Sequence, residues 1–453
     1  MAIEAIKNKD GSFSFKGKSF KITEDKNKAL EPFNKQVWDY GLVLYLLPDN
    51  DKREKINQQI GNAKFVANNY LDEREKLYKE KKEFLSVTTY KKEYLPKLKE
   101  ENEFLLKSDK FALENAIENI DDAFNKFYKA LREKKVSIKN GKLTYYPKHV
   151  SKYKPNGNSY STKFTNDNIE IIVENKIPYI KLPKVGKVRI VLPKKMKVED
   201  ILPFNTKILR ATIKRSSCNI NEKTQYTVSL QLETVIDKIN PLTEVSKKDI
   251  CASDMGIKDF AIYGNEDYTQ KEENPHWIKV HSKRIRRLQK SLARKQYDQK
   301  EHKGSKNYYK AKEKLAKEHR KIKNQRKDFH HKLSRKIVNN CNVFICEDLN
   351  IKGMVKNHKL AKEISSVGWG QFLTFIEYKL KRKDGIFIKV NKFFASSKLC
   401  SCCGYKNTEL ILKDRIRTCP NCNTKHDRDI NAKNNLLKEG IRILTNNYKV
   451  IVK

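Results

Sequence analysis

Cys400 and Cys403 stand with two residues between them, Cys419 and Cys422 do the same, and fifteen residues separate the pairs. Four thiols at that spacing suit a closed tetrahedral Zn²⁺ site, which constrains residues 400–422 to a short metal-stapled hairpin. Gly404 and Pro420 supply turn chemistry beside the knuckles. The zinc expected here is structural, because four thiolate ligands leave no position open for water. A redox role for the pairs is the alternative, and two pairs at this spacing argue against it. His426 is a weaker substitute ligand, Cys402 a spare thiol, and Cys218, Cys251, Cys341 and Cys346 read as buried thiols. Asp429 follows Cys422 by seven residues, so the hairpin leads directly to a candidate catalytic carboxylate.

The chain has 453 residues, enough for two or three cores. Its 97 Lys and Arg against 55 Asp and Glu give a formal charge of +42, a field that calls for a polyanionic partner, nucleic acid first. Nine cysteines are too sparse for a disulfide scaffold. With no apolar signal stretch and no run long enough to span a bilayer, the expectation is a reduced, cytoplasmic protein without membrane association.

Residues 11–21 alternate apolar and polar positions and predict short strands around Gly17. From Glu31 the pattern predicts helices, with Trp38, Tyr40, Leu42 and Leu44 as core, continuing over 67–84 and 98–132. Ala112, Ala116, Ile120, Ala123 and Phe127 share one face of the last, a packing stripe. Pro147, Pro155, Gly157 and Asn158 mark a loop, and strand patterns follow at 169–173, 188–192 and 226–234. Further strands are predicted at 250–254, 257–263 and 277–280.

Residues 281–340 are helical in composition and hold 22 Lys and Arg against 5 Asp and Glu. Lys283, Arg284, Arg286, Arg287 and Lys290 form one cationic cluster, and Arg320, Lys321, Lys323, Arg326 and Lys327 a second. A solvated face explains single lysines but not this density. Residues three and four apart share a helix face, so these side chains are expected to follow a nucleic-acid backbone without reading its sequence.

Three acids stand where a sheet can bring them together. Asp254 ends one predicted strand, Glu347 and Asp348 end the apolar strand 343–346, and Asp427 and Asp429 precede the helical run 431–437. Asp254, Glu347 and Asp429 can converge on two divalent ions that bridge a scissile phosphate, and hard oxygen donors favour Mg²⁺. Each acid also has a structural role open to it: a turn cap, a lysine partner, a helix N-cap. Strand alternation admits only one of Glu347 and Asp348, and Asp427 competes with Asp429.

Several segments carry a family resemblance in combination: Ser253-Asp254-Met255-Gly256-Ile257-Lys258, Phe344-Ile345-Cys346-Glu347-Asp348-Leu349, Trp369-Gly370 with Tyr378-Lys379, Ser396 through Gly404, and Asp427-Arg428-Asp429-Ile430-Asn431-Ala432. The C-terminal half resembles the TnpB family of RNA-guided, transposon-encoded nucleases and its relatives, the compact type V CRISPR effectors. Leu182-Pro183-Lys184-Val185-Gly186 resembles the family's N-terminal half more loosely, and the approach Cys251-Ala252-Ser253 is more polar than the family's usual strand.

The resemblance implies an α+β multidomain fold. A β-barrel-like wedge domain, residues 1–30 and 140–245, holds an inserted helical recognition domain, 31–139. A RuvC-like core of ribonuclease H fold follows at 246–395 with its basic helical pair at 281–340, then a zinc hairpin for target nucleic acid at 396–425, and the core's end and tail at 426–453. It implies that Asp254, Glu347 and Asp429 bind catalytic Mg²⁺, two ions, which settles both competitions. The implied partners are a guide RNA and target DNA beside a short motif, with a transposase encoded nearby, in a bacterial or archaeal cytoplasm. A dimer is expected only of a CRISPR-type relative. The competing readings are a CRISPR effector, a guide-directed repressor that does not cut, and a DNA-strand transferase.

Overall fold

The computed structural model describes residues 6–7, 13–15, 18–20, 30–139, 142–150, 158–192, 196–202, 206–216, 224–298, 303–410 and 415–453. The chain divides into two compact units, Met1–Lys238 and Ile239–Lys453. Cys218 and Gly17 lie outside the described residues.

In the first unit, strand β1 (Lys35–Leu47) leads into helix α1 (Asn50–Lys81), and α2 (Lys110–Arg132) follows. Then come β2 (Ser159–Lys163), β3 (Glu170–Glu174), β4 (Ile177–Leu182), β5 (Gly186–Val191), β6 (Thr206–Arg215) and β7 (Tyr226–Asp237). The sheet order is β2-β6-β7-β1-β5-β4-β3. Leu44 and Leu46 of β1 point into a core shared with Val228, Leu230, Ile56 and Ile60. Farther along α1, Val66, Tyr70 and Leu71 enter a second core with Leu113, Ile117 and Phe124 of α2. Ala112, Ile120 and Phe127 are buried, as a packing stripe requires.

The helix predicted from Glu31 is a correction. Residues 35–47 are the central strand of the sheet, and the helix starts at Asn50 with Asp49 as its cap, accepting from Lys52 N at 2.8 Å. Exposure alternates from Leu42 to Leu47, the period-2 signature of a strand, and Pro48 ends it.

The second unit is built on β8 (Ile250–Met255), β9 (Asp259–Gly264) and β10 (Thr269–Glu273), then α3 (Trp277–Ala293), α4 (Lys306–Asn339) and β11 (Val343–Glu347). α5 (His358–Val367), α6 (Trp369–Lys381), β12 (Ile386–Val390), β13 (Ile416–Thr418), β14 (Lys425–Asp427) and α7 (Arg428–Tyr448) complete it. The main sheet has the order β10-β9-β8-β11-β12, with β8, β11 and β12 parallel. One face packs on α7 through Ile250, Ala252, Val343, Ile345, Leu436 and Leu444. The other packs on α4 and α6 through Cys251, Phe344, Cys346, Leu333 and Phe372.

The strand predicted at 277–280 is the first turn of α3 instead, and the third strand lies earlier, at Thr269–Glu273. Its polar sequence hides it, because an edge strand with exposed side chains needs no apolar alternation. At Gly440 a Cβ would sit 2.4 Å from Ile345 Cδ1, so α7 approaches β11 at the distance only glycine permits.

Candidate active site and metal centre

Parallel pairing places Ser253 opposite Cys346, and Glu347 opposite Val390. Asp254 and Glu347 therefore occupy one row at the C-terminal edge of β8 and β11, where open parallel sheets present their ligand-binding groups. Parity fixes their face. Ile250 and Ala252 precede Asp254 by even steps, Val343 and Ile345 precede Glu347 likewise, and all four are packed with α7. Asp348 has the opposite parity, and its backbone N–H donates to Val390 O at 2.9 Å.

Asp429 sits in the first turn of α7, the helix lying on that face. Asp427 is the N-cap: its Oδ1 accepts from Asp429 N at 3.0 Å and Ile430 N at 3.2 Å, and its Oδ2 meets Lys271 Nζ at 2.8 Å. Both oxygens of Asp427 are thus taken by the cap and by Lys271. The Asp254 carboxyl is pushed up to about 7 by burial, then by the fields of Asp429 and Glu347. Burial, then Asp348, raises Glu347 as well.

The three carboxylates are all hard oxygen donors, a donor set that fits Mg²⁺. They do not draw together as tightly as the cysteines. Arg415 engages Asp429 from the hairpin, with Nη1 3.2 and 2.9 Å from its two oxygens. Arg415 carries no motif signal in the sequence. It stands fourteen residues from its partner, and only the β13–β14 pairing, with Ile416 opposite Asp427, brings the two together.

Among the described residues, Cys400, Cys403, Cys419 and Cys422 form the one metal-ligand cluster whose donor atoms all lie within 4.8 Å of one another. Four sulfurs at that spacing are compatible with structural zinc. Thr424, through its side chain and its backbone, holds the Cys422 thiol down to about 6. Cys402 is exposed and outside the cluster, and Cys251, Cys341 and Cys346 are buried. His426 stands beside the four-cysteine cluster. Its Nε2 lies 3.1 Å from Cys400 Sγ, where it can donate to the sulfur.

Lys283, Arg286, Arg287 and Lys290 line one groove of about 510 Å³ on α3, together with Arg294 and Lys295. Arg284 instead pairs with Glu318 at 3.0 Å, beside His281 on the same carboxylate at 2.6 Å, and ties α3 to α4. Arg326 Nη1 donates to Ser365 O and Ser366 O, each at 3.1 Å, which assigns it to packing as well. Lys321, Lys323 and Lys327 are exposed on α4, and Arg320 is half-buried.

Two families match separate parts of the chain: one described as a probable transposase (OrfB_IS605) over residues 229–358, and one described as a Cas12f1-like TNB domain over residues 369–436. A putative RNA-guided DNA endonuclease of Streptomyces pristinaespiralis is 27% identical over 397 residues, covering 87% of this chain and 87% of that protein. A TnpB-like protein of Acanthamoeba polyphaga mimivirus is 27% identical over 237 residues, 48% of this chain and 44% of its own. A TnpB-like protein of Methanocaldococcus jannaschii is 34% identical over 122 residues, 25% of this chain and 42% of its own. The chain thus spans less than half of the last two. Among solved structures, the Cas12f1–sgRNA–target DNA complex aligns with a TM-score of 0.49 at 15% identity, over 89% of this chain and 99% of that one.

Proposed function

We propose that the chain is a member of the TnpB family, related to the type V CRISPR effectors, and that it is an RNA-guided DNA endonuclease of an insertion-sequence transposon. The observation that carries this is the shared row and face of Asp254 and Glu347 opposite Asp429, with burial first and then the charge of the other two raising Asp254 to about 7. A buried acid perturbed by neighbouring carboxylates at a sheet edge supports a cation site over packing.

Asp254, Glu347 and Asp429 would hold Mg²⁺, two ions, which supply an activated water and charge stabilisation of the leaving oxygen. The chain's own residues do the positioning. The sheet edge fixes two carboxylates, the capped start of α7 presents the third, and Arg415 balances Asp429. A guide RNA would pair with one DNA strand and supply the sequence specificity, while the protein reads a short motif beside the target. Lys283, Arg286, Arg287 and Lys290, with Lys321, Lys323 and Lys327, would carry the nucleic-acid backbone. In domain terms, the sheet of the first unit is the wedge, its helices between 50 and 132 the recognition module, the second unit the RuvC-like core, and residues 396–425 the target-binding zinc hairpin.

The test is to purify the protein with its co-transcribed RNA, sequence that RNA, and assay a target library with randomised flanks with and without Mg²⁺. Metal-dependent cuts leaving 5′-phosphate and 3′-hydroxyl ends, set by the RNA and one flanking motif, are the expected outcome. Joined ends would indicate a strand transferase, and occupied but uncut target a repressor.

A further inference from the structure

The first cysteine knuckle is bonded to the same helix that carries Asp429. Asn431 and Asn435 lie one helical turn apart on α7 and are 1% and 5% exposed. Asn431 Nδ2 donates to Leu399 O at 2.7 Å, and its Oδ1 accepts from Ser401 N at 2.8 Å. Asn435 Nδ2 donates to Ser396 O at 2.7 Å and to Leu399 O at 2.8 Å. From the exposed side, Lys438 Nζ reaches Ser401 O at 2.5 Å. Leu399 and Ser401 flank Cys400, so both sides of one thiolate ligand are gripped by α7. The same cysteine meets His426, the residue just before the cap Asp427.

Two buried amides hydrogen-bonded to the backbone of residues 396–401 make the positions of knuckle and helix interdependent. Letting either move would leave buried polar groups unpaired. Asn431 is two residues beyond Asp429, within the same first turn.

We propose that Asn431 and Asn435 are positioning residues that couple the four-cysteine site to the carboxylate site, so that metal in the thiolate cluster raises the divalent-metal affinity of the carboxylates. This rests on the reading that Asp254, Glu347 and Asp429 bind a divalent cation. Filling the cluster fixes the knuckle backbone, the amides transmit that order to the first turn of α7, and Asp429 is presented with less left to immobilise. Linkage makes the effect reciprocal: metal on the carboxylates raises zinc retention by the same factor.

The experiment measures Mn²⁺ binding to the full-length protein by electron paramagnetic resonance, where Zn²⁺ is silent, in zinc-loaded and zinc-stripped samples. Zinc removal is expected to weaken Mn²⁺ binding in the unmodified protein by about tenfold, within the range typical of coupled sites. The Asn431→Ala/Asn435→Ala double variant, keeping its zinc, is expected to bind Mn²⁺ weakly whether zinc is present or not. Asp254→Asn identifies the site. If it binds Mn²⁺ like the unmodified protein, the carboxylate reading fails and the coupling with it. If Asp254→Asn loses binding but zinc removal changes nothing in the unmodified protein, the coupling is overturned and the carboxylate reading stands. Full zinc dependence in the double variant overturns it equally. Should the double variant fail to fold or lose its zinc, Lys438→Met, which removes an exposed tether, decides: a smaller zinc dependence supports the coupling and an unchanged one overturns it.

Discussion

In the proposed cation site Asp254 is the most perturbed acid, its carboxyl held up to about 7 by burial and then by two neighbouring acids. A group raised in the folded state favours its neutral form there. Without metal, stability is therefore lost as pH climbs from the ordinary carboxylate range through about 7. A divalent cation must displace that proton, so Mg²⁺ affinity is expected to rise with pH up to about 7, with proton release on binding. Calorimetry in two buffers of different ionisation enthalpy checks it, and equal heats in both would contradict it. Glu347→Gln is expected to abolish cleavage while Asp348→Asn retains most of it, since strand parity puts only Glu347 on the α7 face. The sequence made these acids legible through strand ends and motif spacing. Arg415 was not legible, because its partnership with Asp429 exists only through the hairpin's register.

At the scale of elements, buried neutral His330 gives α4 an acid weakness. Its ring nitrogens meet Val367 O at 3.0 Å and Gln371 Oε1 at 3.3 Å, and burial drives its pKa down to about 4, with Arg326 and His331 adding to the depression. The unfolded chain binds that proton more readily, so stability falls as pH drops from about 6.5 to 4, by up to about 3 kcal/mol. Denaturant melts across that window should show the loss, and His330→Gln should flatten it. Gly440→Ala is expected to destabilise the protein by about 1–3 kcal/mol, since a Cβ there overlaps Ile345. Its thermal melt reads this directly. Long basic helices were legible from composition, while β1 was read as helix. Its residues at 42–47 are nearly all apolar, and such a run does not declare its period until its neighbours in the sheet are known.

For the whole molecule, the +42 charge makes nucleic-acid binding strongly salt-dependent. Changing Lys283, Arg286, Arg287 and Lys290 to Gln should cut the salt slope of RNA binding by roughly three to four units and weaken all sequences alike. Arg284→Gln should instead act mainly on stability, since it is paired with Glu318. The central claim is that Asp254, Glu347 and Asp429 cut DNA chosen by a bound RNA. Its most direct test is Mg²⁺-dependent cleavage of a target matching the co-purified RNA, with the unmodified protein beside Asp254→Ala. The expected result is cleavage by the first and none by the second, with RNA binding equal in both. Cleavage that survives in Asp254→Ala would contradict the account.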